Sequence, residues 1–141
     1  MIAVDTNVLV YAHREELPQH RAAKLRLSQL AEDDERWAIP VFCLGEFLRV
    51  VTHRRVFDPP FTVHEACEAL ARVLASPSLL VLHPGERFVG LLMAATKEAE
   101  ALGNLVFDAQ IVALCREAGV RRLLTEDRDF DRFRDLEILR L

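Results

Sequence analysis

Four acidic side chains stand where carboxylates can share one site. Asp5 ends the first apolar run of the chain, and Asp127 follows another apolar run near the C-terminus. Glu46 and Asp108 lie near the beginnings of segments whose apolar residues have helical spacing. Two carboxylates about 4 Å apart repel by roughly 4 kcal/mol at an effective dielectric near 20, so four that meet need protons or a cation. Hard divalent cations, magnesium or manganese, suit such oxygen ligands best.

Each acid also has an ordinary structural explanation. Asp5 could cap the helix that follows it, and Asp108 could favour a helix N-terminus through the helix dipole. Glu46 could pair with Arg49, the only basic residue within four positions of it. Asp127 could be one of several solvated turn acids. Whether a shared site exists therefore depends on whether the fold brings the four acids together.

The segments that carry these acids alternate between strand-like and helix-like patterns. Short apolar runs predict strands at Ile2–Val4, Trp37–Ile39, Leu79–Leu82, Val120–Leu124 and Glu137–Leu141. Amphipathic or apolar stretches predict helices at Val8–His13, His20–Asp33, Val41–His53, Gly85–Leu102 and Leu105–Ala118, with a further helix after Thr62, whose spacing to Glu65 is that of a capping box. Such alternation is typical of an α/β protein with a parallel sheet covered on both faces. In these sheets ligands bind at the carboxyl ends of the strands, so we expect all four acids at one edge.

Length and charge bound the class of protein. A chain of 141 residues is expected to form a single domain over 1–141. The net charge of −4 argues against a generic nucleic-acid binder, which needs a basic surface. Charge does not decide the matter, because acids gathered in one metal site leave the remaining surface close to neutral.

The cysteines and the apolar runs indicate a cytoplasmic protein. No C-x-x-C pair is present, so zinc and dithiol chemistry are not expected. Cys43, Cys67 and Cys115 are predicted to be small buried apolar residues in a reducing compartment. The first apolar run is short and interrupted by Asp5, which does not fit a signal peptide. No run approaches the roughly 18 apolar residues of a membrane span.

Four stretches of the sequence resemble, in order, the motifs of PIN-domain proteins, and especially of the VapC toxins of bacterial toxin–antitoxin pairs. The stretches are Val4–Tyr11, Pro40–Phe47, Asn104–Ala109 and Leu124–Phe130. No single motif is specific, since the first rests on the three letters DTN. The ordered set is more specific, covers the whole chain and lacks no member of the acidic set.

The resemblance implies a PIN-like three-layer sandwich with a central five-stranded parallel sheet flanked by helices. It also implies an endoribonuclease that depends on Mg²⁺ or Mn²⁺ and cleaves RNA phosphodiester bonds. Such a protein would be the toxin of a VapBC-type pair, inhibited by a cognate antitoxin. It would usually be a homodimer, with no membrane partner.

A mechanistic hypothesis follows for individual residues. The metal ligands would be Asp5, Glu46, Asp108 and Asp127, holding ions that activate water and neutralise charge on the phosphate. Thr125 would orient the site through its hydroxyl, and Thr6 could do the same, while Asn7 would fix the turn after the first strand. Asp129 could bind a second ion or cap the turn at Phe130, and the cap is the favoured role. Arg49 and His53 share a helical face with Glu46 and are either phosphate contacts or part of a solvated helix edge.

Three other classes of protein compete with this hypothesis. A non-catalytic PIN-like module that binds RNA or protein is the alternative, although a complete set of acids argues against a decayed site. A receiver-type phosphorylation domain needs a phospho-acceptor Asp at a middle strand end, where this chain has His83, and a late Lys, whereas none follows Lys97. A nucleotide-binding Rossmann domain is disfavoured because no glycine-rich phosphate motif is present.

Overall fold

Five short strands form one parallel sheet in the computed structural model, which describes residues 1–141. The strands are β1 (Ile2–Val4), β2 (Trp37–Pro40), β3 (Leu79–Leu82), β4 (Arg122–Leu124) and β5 (Glu137–Leu139). Their order in the sheet is β3-β2-β1-β4-β5, and every neighbouring pair is parallel. The predicted five-stranded parallel sheet is confirmed.

Six α-helices and one 3₁₀ turn connect the strands. They are α1 (Thr6–His13), α2 (His20–Glu32), α3 (Val41–Val51), α4 (Val63–Leu74), α5 (Phe88–Glu98), α6 (Leu105–Glu117) and the 3₁₀ turn Arg128–Arg132. The capping box is confirmed, since Thr62 and Glu65 exchange side-chain and backbone hydrogen bonds of 2.9 and 3.1 Å. Helix α5 is shorter than predicted, because Glu100 adopts a left-handed φ of 48° before Gly103 at 55°. That conformation ends a helix.

The strand order places a crevice beside β1. From β1 the chain steps outward through β2 to β3, and then crosses back to β4 on the other side of β1. Because crossovers between parallel strands are right-handed, this reversal puts the later helices on the opposite face of the sheet. The carboxyl ends of β1 and β4 therefore lie at the topological switch point, where ligands bind in such sheets. Val4 pairs with Leu124 in register, so the residues that follow them are neighbours.

The core explains why the pattern predicted these elements well. Strand β1 is wholly buried, and Trp37, Phe47 and Phe130 are among the largest side chains removed from solvent. Cys43 and Cys115 are buried as predicted, whereas the prediction for Cys67 was wrong. Cys67 is exposed because α4 buries Ala66 and Ala69 and turns the intervening residues outward. No α-helix combines the length and the apolar run that a bilayer crossing requires.

Candidate metal centre

Asp5 lies at the switch point and is almost completely buried. Its backbone N–H donates to the carbonyl of Leu124 at 3.0 Å, which extends the pairing of β1 with β4 by one residue. Its carboxylate caps α1 by accepting from the Thr6 N–H at 2.7 Å. The Cys43 thiol lies 3.8 Å from the same oxygen. Asp5 therefore performs the capping role that the sequence suggested, while its position is also that of a ligand.

The other oxygen of Asp5 belongs to a side-chain network that joins β1 to β4. The Thr125 hydroxyl donates to it at 2.7 Å, and the Asn7 amide donates at 2.9 Å. The Thr125 hydroxyl in turn accepts from the N–H of Asp127 at 3.0 Å. Asn7 also accepts from the Glu126 N–H at 3.3 Å, so it fixes both loops. This network ties the position of Asp127 to that of Asp5.

Glu46 projects from the middle of α3, not from near its beginning as expected. The Thr6 hydroxyl donates to one carboxylate oxygen at 3.0 Å, which agrees with an orienting role for Thr6. Arg49 lies 3.6 Å from the other oxygen, so the pairing considered for these two residues exists. Both side chains are substantially exposed, and such pairs contribute at most about 1 kcal/mol. The pair therefore leaves Glu46 available to a ligand.

Three carboxylates form the tightest acidic cluster of the chain. Asp108, Asp127 and Asp129 each offer one oxygen, and these oxygens lie within 4.8 Å of one another. Asp108 comes from the first turn of α6, whereas the other two flank the start of the 3₁₀ turn. The favoured capping role of Asp129 was wrong, because Asp127 caps that turn by accepting from the Asp129 N–H at 2.8 Å. The carboxylate of Asp129 is thereby left facing the cluster.

The electrostatics of the site favour a cation. Burial, followed by the charges of Asp127 and Asp5, raises the pKa of Asp108 from 3.8 to about 7. Burial is also the main reason that the pKa of Asp5 rises to about 6, and the charges of Glu46 and Asp127 add to it. Hydrogen bonds from Thr125 and Thr6 oppose that rise. A divalent cation beside these carboxyls would offset the burial and the repulsion that raise their pKa, and so would favour their charged form.

A cleft of about 700 Å³ opens over the cluster formed by Asp108, Asp127 and Asp129. Its lining includes Glu46, Asp108, Asp127 and Asp129, together with Arg49. Apolar and amide side chains complete the wall, namely Phe42, Leu105, Phe107, Ile111, Asn104 and Gln110, with Gly45 between them. Of the two proposed phosphate contacts, only Arg49 lines the cleft. The other, His53, accepts from the N–H of Arg55 in the turn after α3.

One contributor to the site was not predicted. Arg140 donates to the backbone carbonyls of Thr125 and Asp127 at 2.8 and 3.0 Å, and to Asp131 at 3.0 Å. It thus holds the loop that presents the acids, although nothing in its sequence context signals this contact. Asp129 was considered as a ligand of a second ion, but capping was the favoured role, and the structure places its carboxylate in the acidic cluster.

Comparison with known proteins identifies the family of the chain. Residues 2–136 match the PIN domain. The chain belongs to the PIN-domain family. Ribonuclease VapC43 of Mycobacterium tuberculosis is 41% identical over 136 residues, covering 96% of this chain and 92% of that protein. Ribonuclease VapC31 of the same species is 35% identical, covering 99% and 98% of the two chains. The resemblance found in the sequence motifs is confirmed.

Solved structures share the fold of this PIN domain. VapBC2 of Rickettsia felis, solved with a fragment of promoter DNA, superposes with a TM-score of 0.71 at 19% identity and covers 100% of this chain and 99% of that one. VapC20 of Mycobacterium tuberculosis, a toxin that cleaves the sarcin–ricin loop, gives 0.69 at 22% identity and covers 93% of each chain. These likenesses confirm the PIN-like α/β sandwich.

Proposed function

We propose that this PIN domain is an endoribonuclease that depends on magnesium or manganese and is the toxin of a VapBC-type pair. One observation carries the proposal: the carboxylates of Asp108, Asp127 and Asp129 converge within 4.8 Å in an open cleft. Three carboxylates at this separation are costly without a counter-charge. In a purely structural cluster, a lysine or an arginine would be expected to neutralise these acids. The only basic side chain in the cleft lining is Arg49, and it pairs with Glu46, outside the three-carboxylate cluster.

The donor set fits a hard divalent cation. Every candidate ligand is a carboxylate oxygen, and soft sulfur or imidazole donors are absent from the cleft lining. Asp108, Asp127 and Asp129 would hold the ion directly, with Glu46 and Asp5 as further ligands. When bound, the cation supplies Lewis acidity toward water and toward the phosphate.

The remaining work falls to side chains of this chain. Asp5 has one oxygen occupied by Thr125 and Asn7, so only the oxygen that caps α1 keeps a free lone pair. Thr125 sets the distance between Asp5 and the Asp127 loop, which fixes the spacing of the ligands. Asp108 gives up a proton when the cation binds, because the pKa of its carboxyl is about 7 without one.

The proposed partners follow from the relatives. Similar solved structures include a toxin–antitoxin complex from Klebsiella pneumoniae, which covers 99% of this chain with a TM-score of 0.66, and VapBC-1 of Haemophilus influenzae, which also covers 99% with a TM-score of 0.67. We extend this to a cognate antitoxin for this chain, to RNA as its substrate, and to a homodimer of single domains spanning 1–141.

The test is cleavage of a long mixed-sequence RNA with magnesium, with manganese and with a chelator. The parent protein is expected to cut internally only when a metal is present. Asp108→Asn and Asp127→Asn are expected to lose at least a hundredfold in rate, in keeping with the removal of a group that stabilises developing charge. Asp34→Asn, an exposed acid in the loop after α2, is the matched control. Equal cleavage by the control and either site variant would reject the proposal.

A further inference from the structure

An aromatic ring stands exposed in the wall of the acidic cleft. Phe107 is 60% exposed, whereas the aromatic side chains of the core, such as Phe47 and Phe130, are at most 7% exposed. It directly precedes Asp108 on the first turn of α6 and lines the same cleft. Burial of apolar surface stabilises a fold, and most of this ring lies outside the core, so it contributes less to stability than a buried phenylalanine does.

The surroundings of Phe107 are those of a site for a planar, polar ring. Asn104 and Gln110 precede and follow it by three residues, so both amides lie on its side of the helix and line the cleft. Phe42 provides a second, half-exposed ring in the wall, supported by Phe88 at a centroid distance of 5.8 Å. An aromatic ring can stack on the face of a nucleobase. The amide of an asparagine or a glutamine offers both a donor and an acceptor to the hydrogen-bonding edge of that base.

The neighbouring charges place a phosphate next to that base. Asp108 belongs to the carboxylate cluster, and its Cα is about 3.8 Å from that of Phe107, as for any consecutive residues. A cation held by Asp108 would draw a phosphate to this end of the cleft, and the nucleoside joined to that phosphate would lie within reach of the ring. Arg49, on the opposite wall, adds the only basic group of the cleft lining.

We propose that Phe107 is a stacking platform for an unpaired base adjoining the cleaved phosphate, with Asn104 and Gln110 reading the edge of that base. This inference rests on the proposed ribonuclease function and specifies its substrate as RNA that is single-stranded at the cut. A base inside an A-form duplex cannot offer its face to a side chain, whereas a splayed base can.

The test is a double-mutant cycle between the protein and the RNA. Cleavage sites are first mapped on a long mixed-sequence RNA with manganese. Short oligonucleotides around one site are then made with an abasic nucleotide at each successive position. Because stacking of one base is worth about 1–3 kcal/mol by alanine substitution, Phe107→Ala should lower kcat/KM roughly 5- to 160-fold on the intact oligonucleotide. On the oligonucleotide that lacks the stacked base, the same substitution should change nothing.

Three further variants separate stacking from other roles. Phe107→Tyr keeps the ring face and should retain the parent rate, whereas Phe107→Leu keeps the apolar volume and should behave like Phe107→Ala. Val63→Ala removes an equally exposed apolar side chain outside the cleft and should have no effect. Manganese binding by calorimetry should be the same for all of these variants, which shows that the metal site is intact.

The outcomes distinguish the inference from the function beneath it. If the parent cleaves RNA but no abasic position couples to Phe107, the stacking role is overturned while the ribonuclease proposal stands. Equal losses for Phe107→Ala on intact and abasic RNA, or full activity of Phe107→Leu, overturn it as well. If the parent cleaves no RNA with manganese, both proposals fail together.

Discussion

Replacing Asp108 by asparagine should stabilise the metal-free protein while it disables the site. The carboxylate faces those of Asp127 and Asp129, so the substitution removes one charge from an acidic cluster and keeps a side chain of the same shape. The rise in the pKa of Asp108 from 3.8 to about 7 corresponds to about 4 kcal/mol of native-state preference for the protonated form. Because the side chain is only half-buried, solvent screening reduces the expected gain in the free energy of unfolding to roughly 1–2 kcal/mol at pH 8.

The size of this stabilisation depends on pH. The folded-state pKa lies above the unfolded one, so the native state of the parent binds the extra proton and its stability falls as pH rises from about 4 to about 7. Asparagine does not titrate, so the gap between variant and parent should be close to zero near pH 4 and full above pH 7. Urea unfolding in the presence of a chelator at several pH values measures this gap.

Two comparisons make the measurement decisive. Asp34→Asn, at an exposed position, should stay within about 0.5 kcal/mol of the parent at every pH. Excess manganese should reverse the order, because a ligand that binds only the native parent stabilises it by mass action. A destabilised or unchanged Asp108→Asn at pH 8 without metal would refute the idea that repelling acids are held in this cleft.

Three more outcomes follow from the site. Manganese affinity should rise with pH up to about 7, because the cation displaces protons from Asp5 and Asp108, whose pKa values are about 6 and about 7. Calorimetry that finds the same affinity from pH 5.5 to 8 would contradict this. Thr125→Val should lower the free energy of unfolding in urea by about 1–3 kcal/mol, since it leaves buried Asp5 without its hydroxyl donor. Thr125→Ser keeps a hydroxyl and should lower it less. Equal losses for the two variants would argue against the hydrogen bond. At Gly45 a Cβ meets nothing within 4 Å, so Gly45→Ala should raise the free energy of unfolding by up to about 1 kcal/mol. Gly45→Leu should fold equally well but cleave RNA more slowly by filling the cleft, and an unimpaired rate would show that substrate does not enter there.

The fold was predictable because its central strands are buried and all but the last strand are strongly apolar. Runs such as Ile2–Val4 and Leu79–Leu82 are continuous apolar segments, and such segments separated by amphipathic helices specify a parallel sheet. The switch point then follows from strand order, which brings the residues after β1 and β4 together. Helix ends were less predictable, as α5 shows, because the left-handed conformation of Glu100 is not typical of its residue type.

The site was predictable as a set of acids but not as a geometry. Asp108 and Asp127 meet as expected, whereas Asp129 joins them only because Asp127 satisfies the backbone of the turn. The sequence alone does not say which aspartate of an Asp-x-Asp pair caps the turn and which one faces the cluster, since either carboxylate can cap. The exposure of Phe107 in the cleft was not predicted for another reason. An apolar residue in a helical pattern looks the same in the sequence whether it faces the core or a cleft.

Titration of the metal-free protein with manganese at pH 8 tests the central claim most directly. The parent should bind at least one ion, and Asp127→Asn should weaken binding at least tenfold while keeping the turn capped, since asparagine caps as well as aspartate. Asp34→Asn should bind like the parent. No binding by the parent, or undiminished binding by Asp127→Asn, would contradict the assignment of this acidic cleft as a metal centre.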